Sequence, residues 1–200
     1  MKASHHDIDP LKKDELLETV LRNTAVRDVL DNAGELNLPD WFVGAGCIAQ
    51  TVWNKYHGCN LTDNITDIDL VYFDNTDLSF EAEDKIISTT KAALSHVPIP
   101  VDIKNQARVH LWYGRHFGYD IKPYASIYDA LKSWPTTATS IGIRKEGNGY
   151  KVFAPFGLDD LLNLIVRANK VQITEEIYNS KVDRWTSCWP ELKVIPWDKS

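Results

Sequence analysis

Two aspartates separated by one apolar residue stand in a β-rich stretch of the chain, Thr66-Asp67-Ile68-Asp69-Leu70. Side chains alternate across a strand, so Asp67 and Asp69 point to one face with their α-carbons roughly 6 to 7 Å apart. The apolar residues between and after them face the other side and anchor it in a core. The pattern therefore predicts a strand over residues 66–73 with one buried and one chemically active face.

Two carboxylates held this close repel each other unless a cation lies between them. Magnesium prefers oxygen ligands and commonly takes one or two carboxylates together with substrate phosphates. The pair Asp67 and Asp69 is therefore a candidate magnesium site. An acidic strand end facing water is the alternative interpretation.

A run of small residues, Gly44-Ala45-Gly46-Cys47, joins a short apolar strand at 41–43 to a helix predicted over 48–56. Small side chains let a phosphate approach the free backbone N–H groups at a helix N-terminus. Gly44, Gly46 and Cys47 are thus candidate nucleotide-binding residues. Close packing of the strand against the helix would also favour small residues here.

A third acid, Asp102, lies between Val101 and Ile103 in a short strand candidate. A charged residue within an apolar strand is unfavourable unless it is exposed or has a partner. If this strand lies beside the Asp67 strand, three carboxylates converge. An aspartate facing water on an edge strand is the alternative.

The charges are unevenly distributed along the chain. Eight acids and no Lys or Arg occur from Asp63 to Asp84, whereas Lys104, Arg108 and Arg115 occur without an acid from 104 to 116. Such a division suits a metal–triphosphate substrate, with Lys104 and Arg108 as candidate phosphate ligands. Two solvated faces would give the same pattern. The net charge of −6 argues against a nonspecific nucleic-acid or membrane binder.

The order of predicted elements indicates an α+β fold with α/β character, in which a mixed sheet is flanked by helices and followed by a C-terminal hairpin and helices. One helix is expected from Pro10 to a stop at Gly34. Later elements are short helices over 127–134 and 158–165, a hairpin turning at 147–149, a helix from Thr174 to about Trp185, and an irregular tail packed by its tryptophans. We expect one domain over 1–200, with 120–200 as a candidate C-terminal lobe.

The compartment is expected to be the cytoplasm. The three cysteines are odd in number and lack Cys-x-x-Cys spacing, which argues against a disulfide framework. The segment from Met1 to Asp7 has no apolar signal core, and no apolar run reaches the ~20 residues that span a bilayer.

Together these motifs resemble the nucleotidyltransferase superfamily with the polymerase-beta-type fold. Its pattern is a small-residue turn, a helix, a strand with Asp-x-Asp and a third acid on a later strand; 44–47, Asp67-Ile68-Asp69 and Asp102 match it. From about 38 to 197 the chain is similar to a family of small bacterial nucleotidyltransferase-like proteins of unassigned substrate. The segments that carry this similarity are 67–74, 105–110, 134–139 and 155–161.

The second half also resembles the head domain of CCA-adding enzymes, in which a Thr-rich strand leads through a hairpin to a Pro-Phe-Gly turn. Thr137-Ala138-Thr139-Ser140 and Pro155-Phe156-Gly157 match that pattern. Ala49-Gln50 replaces the Arg-Asp pair of those domains, and Trp134-Pro135-Thr136 replaces their Arg-Arg-Asp. These differences, and the lack of a helical extension, argue against tRNA as substrate.

The resemblance implies magnesium-dependent transfer of a nucleoside monophosphate from a nucleoside triphosphate, such as ATP, to a hydroxyl of an unknown small-molecule or protein acceptor. Asp67, Asp69 and Asp102 would be the catalytic and metal-binding residues, and manganese is an alternative ion. Two other interpretations stay open. One is a noncatalytic nucleotide-binding or regulatory protein with the same fold, and the other is a metal-dependent phosphodiester hydrolase. The oligomeric state is not indicated.

Overall fold

A computed structural model describes residues 8–200. Residues 1–7, where the sequence indicated no signal core, lie outside the described part. The helices are α1 Pro10–Arg22, α2 Thr24–Ala33, α3 Gly46–Tyr56, α4 Phe80–Ala93, α5 Val109–Phe117, α6 Ile127–Lys132, α7 Asp159–Leu162 and α8 Glu175–Cys188. The strands are β1 Phe42–Gly44, β2 Ile68–Tyr72, β3 Val101–Asn105, β4 Gly142–Glu146, β5 Gly149–Phe153, β6 Ile165–Val166 and β7 Lys193–Val194. Short 3₁₀ helices cover Gly34–Leu36, Gln106–Arg108 and Trp197–Lys199.

The main sheet has five strands in the order β3-β2-β1-β4-β5. Strands β2 and β3 run parallel, and the other neighbours are antiparallel. The parallel pair needs a crossover, which α4 supplies. This mixed sheet with flanking helices confirms the predicted α+β class and the predicted hairpin.

The two faces of the sheet have different cores. On one face Ile68, Leu70 and Ile103 join a large apolar cluster that includes buried residues of α1, α2 and α3. On the other face Phe42 and Val71 belong to a smaller cluster, which also holds Phe153 of β5 and two residues of α6. The second face also carries the aspartates, since Val71 and Asp69 are two residues apart on one strand. In β2, the aspartates and the apolar residues therefore alternate between the two faces, as the sequence predicted.

The first helix was predicted wrongly as one continuous element. The backbone of Asn23 is extended, with φ −75° and ψ 102°, and separates α1 from α2. Its side-chain oxygen accepts a hydrogen bond from the Val26 N–H, and its amide donates to the Thr51 hydroxyl and the Leu61 carbonyl. Asn23 therefore caps α2 and ties it to α3 and the following loop, which hydrophobic spacing does not reveal.

Two further differences lie in the second half. Helix α5 was not predicted, and the helix expected over 158–165 shortens to the single turn α7 followed by β6. The tail, expected to be irregular, contributes β7, which pairs with β6 in parallel.

Tryptophans pack the C-terminal segment, as predicted. The ring centroid of Trp53 in α3 lies 5.3 Å from those of Trp185 and Trp189. The Trp189 indole donates to the Asn54 side chain at 2.8 Å. Because β4 also pairs with β1, both halves of the chain share one sheet. We propose that the chain forms one domain. Within residues 8–200, no helix has the length and apolar composition needed to cross a membrane.

Candidate active site

Three carboxylates meet where β2 and β3 begin. Asp69 and Asp102 are register partners on these parallel strands, and Asp67 lies just before β2. One carboxylate oxygen from each of Asp67, Asp69 and Asp102 lies within 4.8 Å of the others. Asp67 is exposed and the other two are half-buried. The structure thus brings together the three acids that the sequence singled out.

Asp69 is held in surroundings that disfavour its charged form. Burial, together with the charges of Asp67 and Asp102, raises the pKa of Asp69 to about 6, although the charges of Lys104 and Lys181 oppose the increase. The raised pKa reflects chiefly the cost of holding a charged carboxylate away from water, which a bound cation would offset. Three hard oxygen donors in this arrangement fit a divalent cation such as magnesium.

The turn before α3 is held tightly against its neighbours. Gly44 is paired with Asp69 across the sheet, and a Cβ placed on Gly44 would lie 2.4 Å from the Ile141 carbonyl oxygen. The Ala45 N–H donates to that same oxygen at 3.0 Å. Ala45 itself has φ 58° and ψ −129°, a conformation that favours glycine. The structure therefore fixes the backbone immediately beside the carboxylates.

The N-terminus of α3 follows this turn. No side chain caps it within the described residues, and the helix begins at Gly46 and Cys47. The Cys47 thiol donates to the Gly44 carbonyl at 3.1 Å. Burial and the neighbouring charge of Asp69 raise the pKa of this thiol, so it stays neutral. Gly44, Gly46 and Cys47 thus lie next to Asp69, on the side of β1.

A buried amide lies at the same helix end. Gln50 is 5% exposed, and its side chain makes no hydrogen bond within residues 8–200. Its Nε2 atom lies 3.1 Å from the position a Cβ on Gly46 would occupy. The amide offers one donor group and one acceptor to a ligand that reaches this helix end. In the sequence, Gln50 stands out only because Ala49-Gln50 replaces the Arg-Asp pair of CCA-adding head domains. Its burial depends on tertiary packing and could not be predicted from the sequence.

Two lysines face the carboxylates. Lys104 forms an ion pair with Asp102, and Lys181 approaches from α8. Burial lowers the pKa of Lys104, but its hydrogen bond to Asp102 and the charges of Asp69 and Asp67 outweigh burial and raise it. Burial and then the charge of Arg184 lower the pKa of Lys181. Lys181 was missed because no local pattern connects α8 with β2.

Arg108 is not brought to the carboxylates. Its guanidinium forms an ion pair with Glu83 of α4, and its Nε donates to the Leu78 carbonyl at 2.9 Å. Both charged side chains of the pair are nearly buried. The alternation along β3 keeps Lys104 on the face of Asp102, whereas the 3₁₀ turn after the strand directs Arg108 elsewhere.

A cavity of about 270 Å³ opens beside the carboxylates. The end nearest the carboxylates is lined by Asp69, Lys104 and Ala45, and Lys181 lines the cavity from α8. Its other walls are mainly apolar and aromatic and come from α5, α8 and the segments 133–135 and 172–173. The aromatic side chains are Trp112, Tyr113, Phe117, Tyr124 and Trp134. The site therefore combines a charged end with a pocket lined mainly by apolar and aromatic side chains.

Comparisons with known proteins agree with this geometry. A family model described as "Nucleotidyltransferase" matches residues 31–194. A solved structure is similar over 92% of this chain and 95% of its own, with 24% identity and a TM-score of 0.74; its description states that the NMR structure of the protein reveals a CCA-adding enzyme head domain. At that identity the likeness shows the fold. A search of curated proteins found no match.

Proposed function

The chain belongs to the nucleotidyltransferase family, and on that premise we propose that it transfers a nucleoside monophosphate from a nucleoside triphosphate to a hydroxyl group of a small-molecule or protein acceptor. Pyrophosphate is the second product. Magnesium is the proposed cofactor, with manganese as an alternative. The observation that carries the proposal is the convergence of Asp67, Asp69 and Asp102 beside the N-terminus of α3.

The three aspartates would hold the metal and are the proposed catalytic residues. When bound, magnesium supplies positive charge that orients the triphosphate and stabilises the charge that develops during displacement. The acceptor oxygen forms a bond to the α-phosphorus while the bond from that phosphorus to the bridging oxygen breaks. Asp102, whose carboxylate forms an ion pair with Lys104, takes the proton of the acceptor hydroxyl.

The phosphates are proposed to lie at the N-terminus of α3. Backbone N–H groups of Gly46 and Cys47 carry the positive end of the helix dipole toward them. The Gln50 amide, which lacks a partner in the described structure, is placed to donate to a phosphate oxygen there. Lys104 and Lys181 would neutralise charge from the other side. We do not assign Arg108 this role, since its guanidinium is engaged by Glu83.

Calorimetry with ATP, GTP, CTP and UTP tests this proposal, with and without magnesium. At least one triphosphate should bind only with magnesium, and a ligand present at 100 times its dissociation constant should stabilise the fold by about 2.7 kcal/mol. The double variant Asp67→Asn and Asp69→Asn should lose this binding. The double variant Glu81→Gln and Asp84→Asn removes the same charge from exposed positions on α4 and should retain it. Binding that survives in the first variant would refute the proposed site.

A noncatalytic nucleotide-binding protein is the second candidate. The Lys104 ammonium already occupies one side of Asp102, and Ala49-Gln50 stands where related head domains have Arg-Asp. Both features would suit a protein that binds nucleotide without turnover. Pyrophosphate release in the presence of an acceptor separates the two candidates, because only the enzyme produces it.

A further inference from the structure

We propose that the cavity wall formed by the end of β3 and by α5 is the acceptor subsite, and that the acceptor is a small molecule with a flat ring, a hydroxyl and an amide-like edge bound by Gln106. This inference rests on the proposed function and names the substrate class of the same site. It follows from the strand order, from one buried side chain and from the shape and lining of the cavity.

The strand order indicates on which side of the site the acceptor hydroxyl and the leaving pyrophosphate lie. In an in-line displacement the attacking hydroxyl and the leaving pyrophosphate lie on opposite sides of the phosphorus. Strand β2, which contains Asp69 and directly follows Asp67, lies between β1 and β3. The helix end proposed to hold the phosphates follows β1, so the acceptor approaches from β3. That is the strand of Asp102, which would take the hydroxyl proton.

Gln106 marks this side as a binding surface. It directly follows β3, lines the cavity and is 5% exposed. Its side-chain amide makes no hydrogen bond within residues 8–200. A carboxamide offers one acceptor and one donor group, and both are open to the cavity instead of being bonded to the described part of the protein. A ligand with a donor next to an acceptor would satisfy both.

The remaining side of the wall is aromatic. Helix α5 contributes Trp112, Tyr113 and Phe117 to the cavity. The Tyr113 hydroxyl lies 3.2 Å from that of Tyr119, which donates to the Gln172 carbonyl at 2.6 Å. These hydrogen bonds position Tyr113 within the wall. Aromatic faces of this kind stack on planar rings.

The size of the cavity favours a small acceptor over a macromolecule. Its volume of about 270 Å³ lies just below the range of about 300–1,000 Å³ that is usual for small-molecule sites. Among residues 8–200, the charged side chains that line it are Asp69, Lys104 and Lys181, which lie at one end. The described lining of the ring end is therefore uncharged. We therefore expect a neutral ring to occupy the pocket beyond the charged end.

The test uses α-labelled triphosphate and a panel of neutral hydroxylated probes: the four ribonucleosides and 4-hydroxybenzamide, with 4-methylphenol as a probe without the amide. At least one probe with an amide-like edge should become labelled, and 4-methylphenol should be labelled at least tenfold less. Gln106→Leu should reduce the labelling at least tenfold while magnesium-dependent triphosphate binding changes less than twofold. Trp112→Leu should reduce labelling in the same way.

Gln50→Leu is the matched control, since Gln50 is the same residue type with the same exposure but lies at the phosphate end. It should weaken triphosphate binding and leave the Michaelis constant for the probe unchanged. Labelling of an RNA or a protein but of no small probe overturns the proposal, as does an equal loss of triphosphate binding in Gln106→Leu. If triphosphate binds and no probe is labelled, the acceptor inference fails and the nucleotide site stands. If no triphosphate binds, the proposed function fails first.

Discussion

Replacing Ala45 by glycine should stabilise the protein, although glycine usually destabilises. Ala45 has φ 58° and ψ −129°, where an L side chain is strained. Strain of this kind is about 1–3 kcal/mol per residue. Glycine adopts the conformation freely, so Ala45→Gly removes the strain from the folded state.

Two smaller effects oppose this gain. The greater conformational entropy of glycine in the unfolded chain lowers the free energy of unfolding by about 0.4–1 kcal/mol. The loss of a half-buried methyl group lowers it by less than about 0.8 kcal/mol. The expected net stabilisation of Ala45→Gly is therefore about 1 kcal/mol. For a chain of 200 residues this raises the melting temperature by about 2–4 °C.

Urea denaturation and thermal melting of Ala45→Gly measure the change. Ala92→Gly is the matched control, because Ala92 is exposed in the regular backbone of α4 and should lose about 0.5–1 kcal/mol. If Ala45→Gly lowers the free energy of unfolding as much as the control does, Ala45 is not strained and the reasoning is refuted.

Three further predictions concern the surrounding structure. Arg108→Met should destabilise by about 3–5 kcal/mol in urea denaturation by leaving Glu83 buried without its partner, and adding Glu83→Gln should restore much of the loss while triphosphate binding stays unchanged. Asn54→Ala should destabilise by about 3 kcal/mol, because its buried amide bonds two loop carbonyls and a tryptophan indole; no loss of stability would contradict this. Hydrogen bonding from Tyr56 lowers the pKa of Glu15, so the unfolded chain binds the proton more readily and stability is lost as pH falls below about 4.5. Glu15→Gln should flatten this part of the pH profile, and an unchanged profile would show that Glu15 contributes nothing.

The sheet was predictable where the information is local. Alternation of Asp67, Ile68 and Asp69 specifies which side of β2 is buried, and the short apolar runs around it mark the neighbouring strands. The break between α1 and α2 was not predictable, because Asn23 is held by Thr51 and by the loop after α3. The spacing of apolar residues within one helix gives no information about such tertiary contacts.

The candidate site was also predictable where local strand patterns specify its residues. Asp67, Asp69 and Asp102 follow from strand patterns, and their grouping needed only that β3 lie beside β2. Lys181 could not be found this way, since it reaches the site through the packing of α8. Gln106 was not predicted as a site residue, because a glutamine after a strand is common in sequences. Its burial, and the lack of a hydrogen-bond partner for its amide within residues 8–200, appear only in the folded structure.

The distribution of tryptophans gives the molecule two separate fluorescence reporters. Trp112 and Trp134 line the cavity, where a stacked ligand would change their emission directly. Trp53, Trp185 and Trp189 lie in the core and respond when the C-terminal segment detaches from α3. Replacing the first pair by phenylalanine would leave a signal dominated by unfolding. Titrations and denaturation curves can thus be recorded on the same unlabelled protein and assigned to different regions.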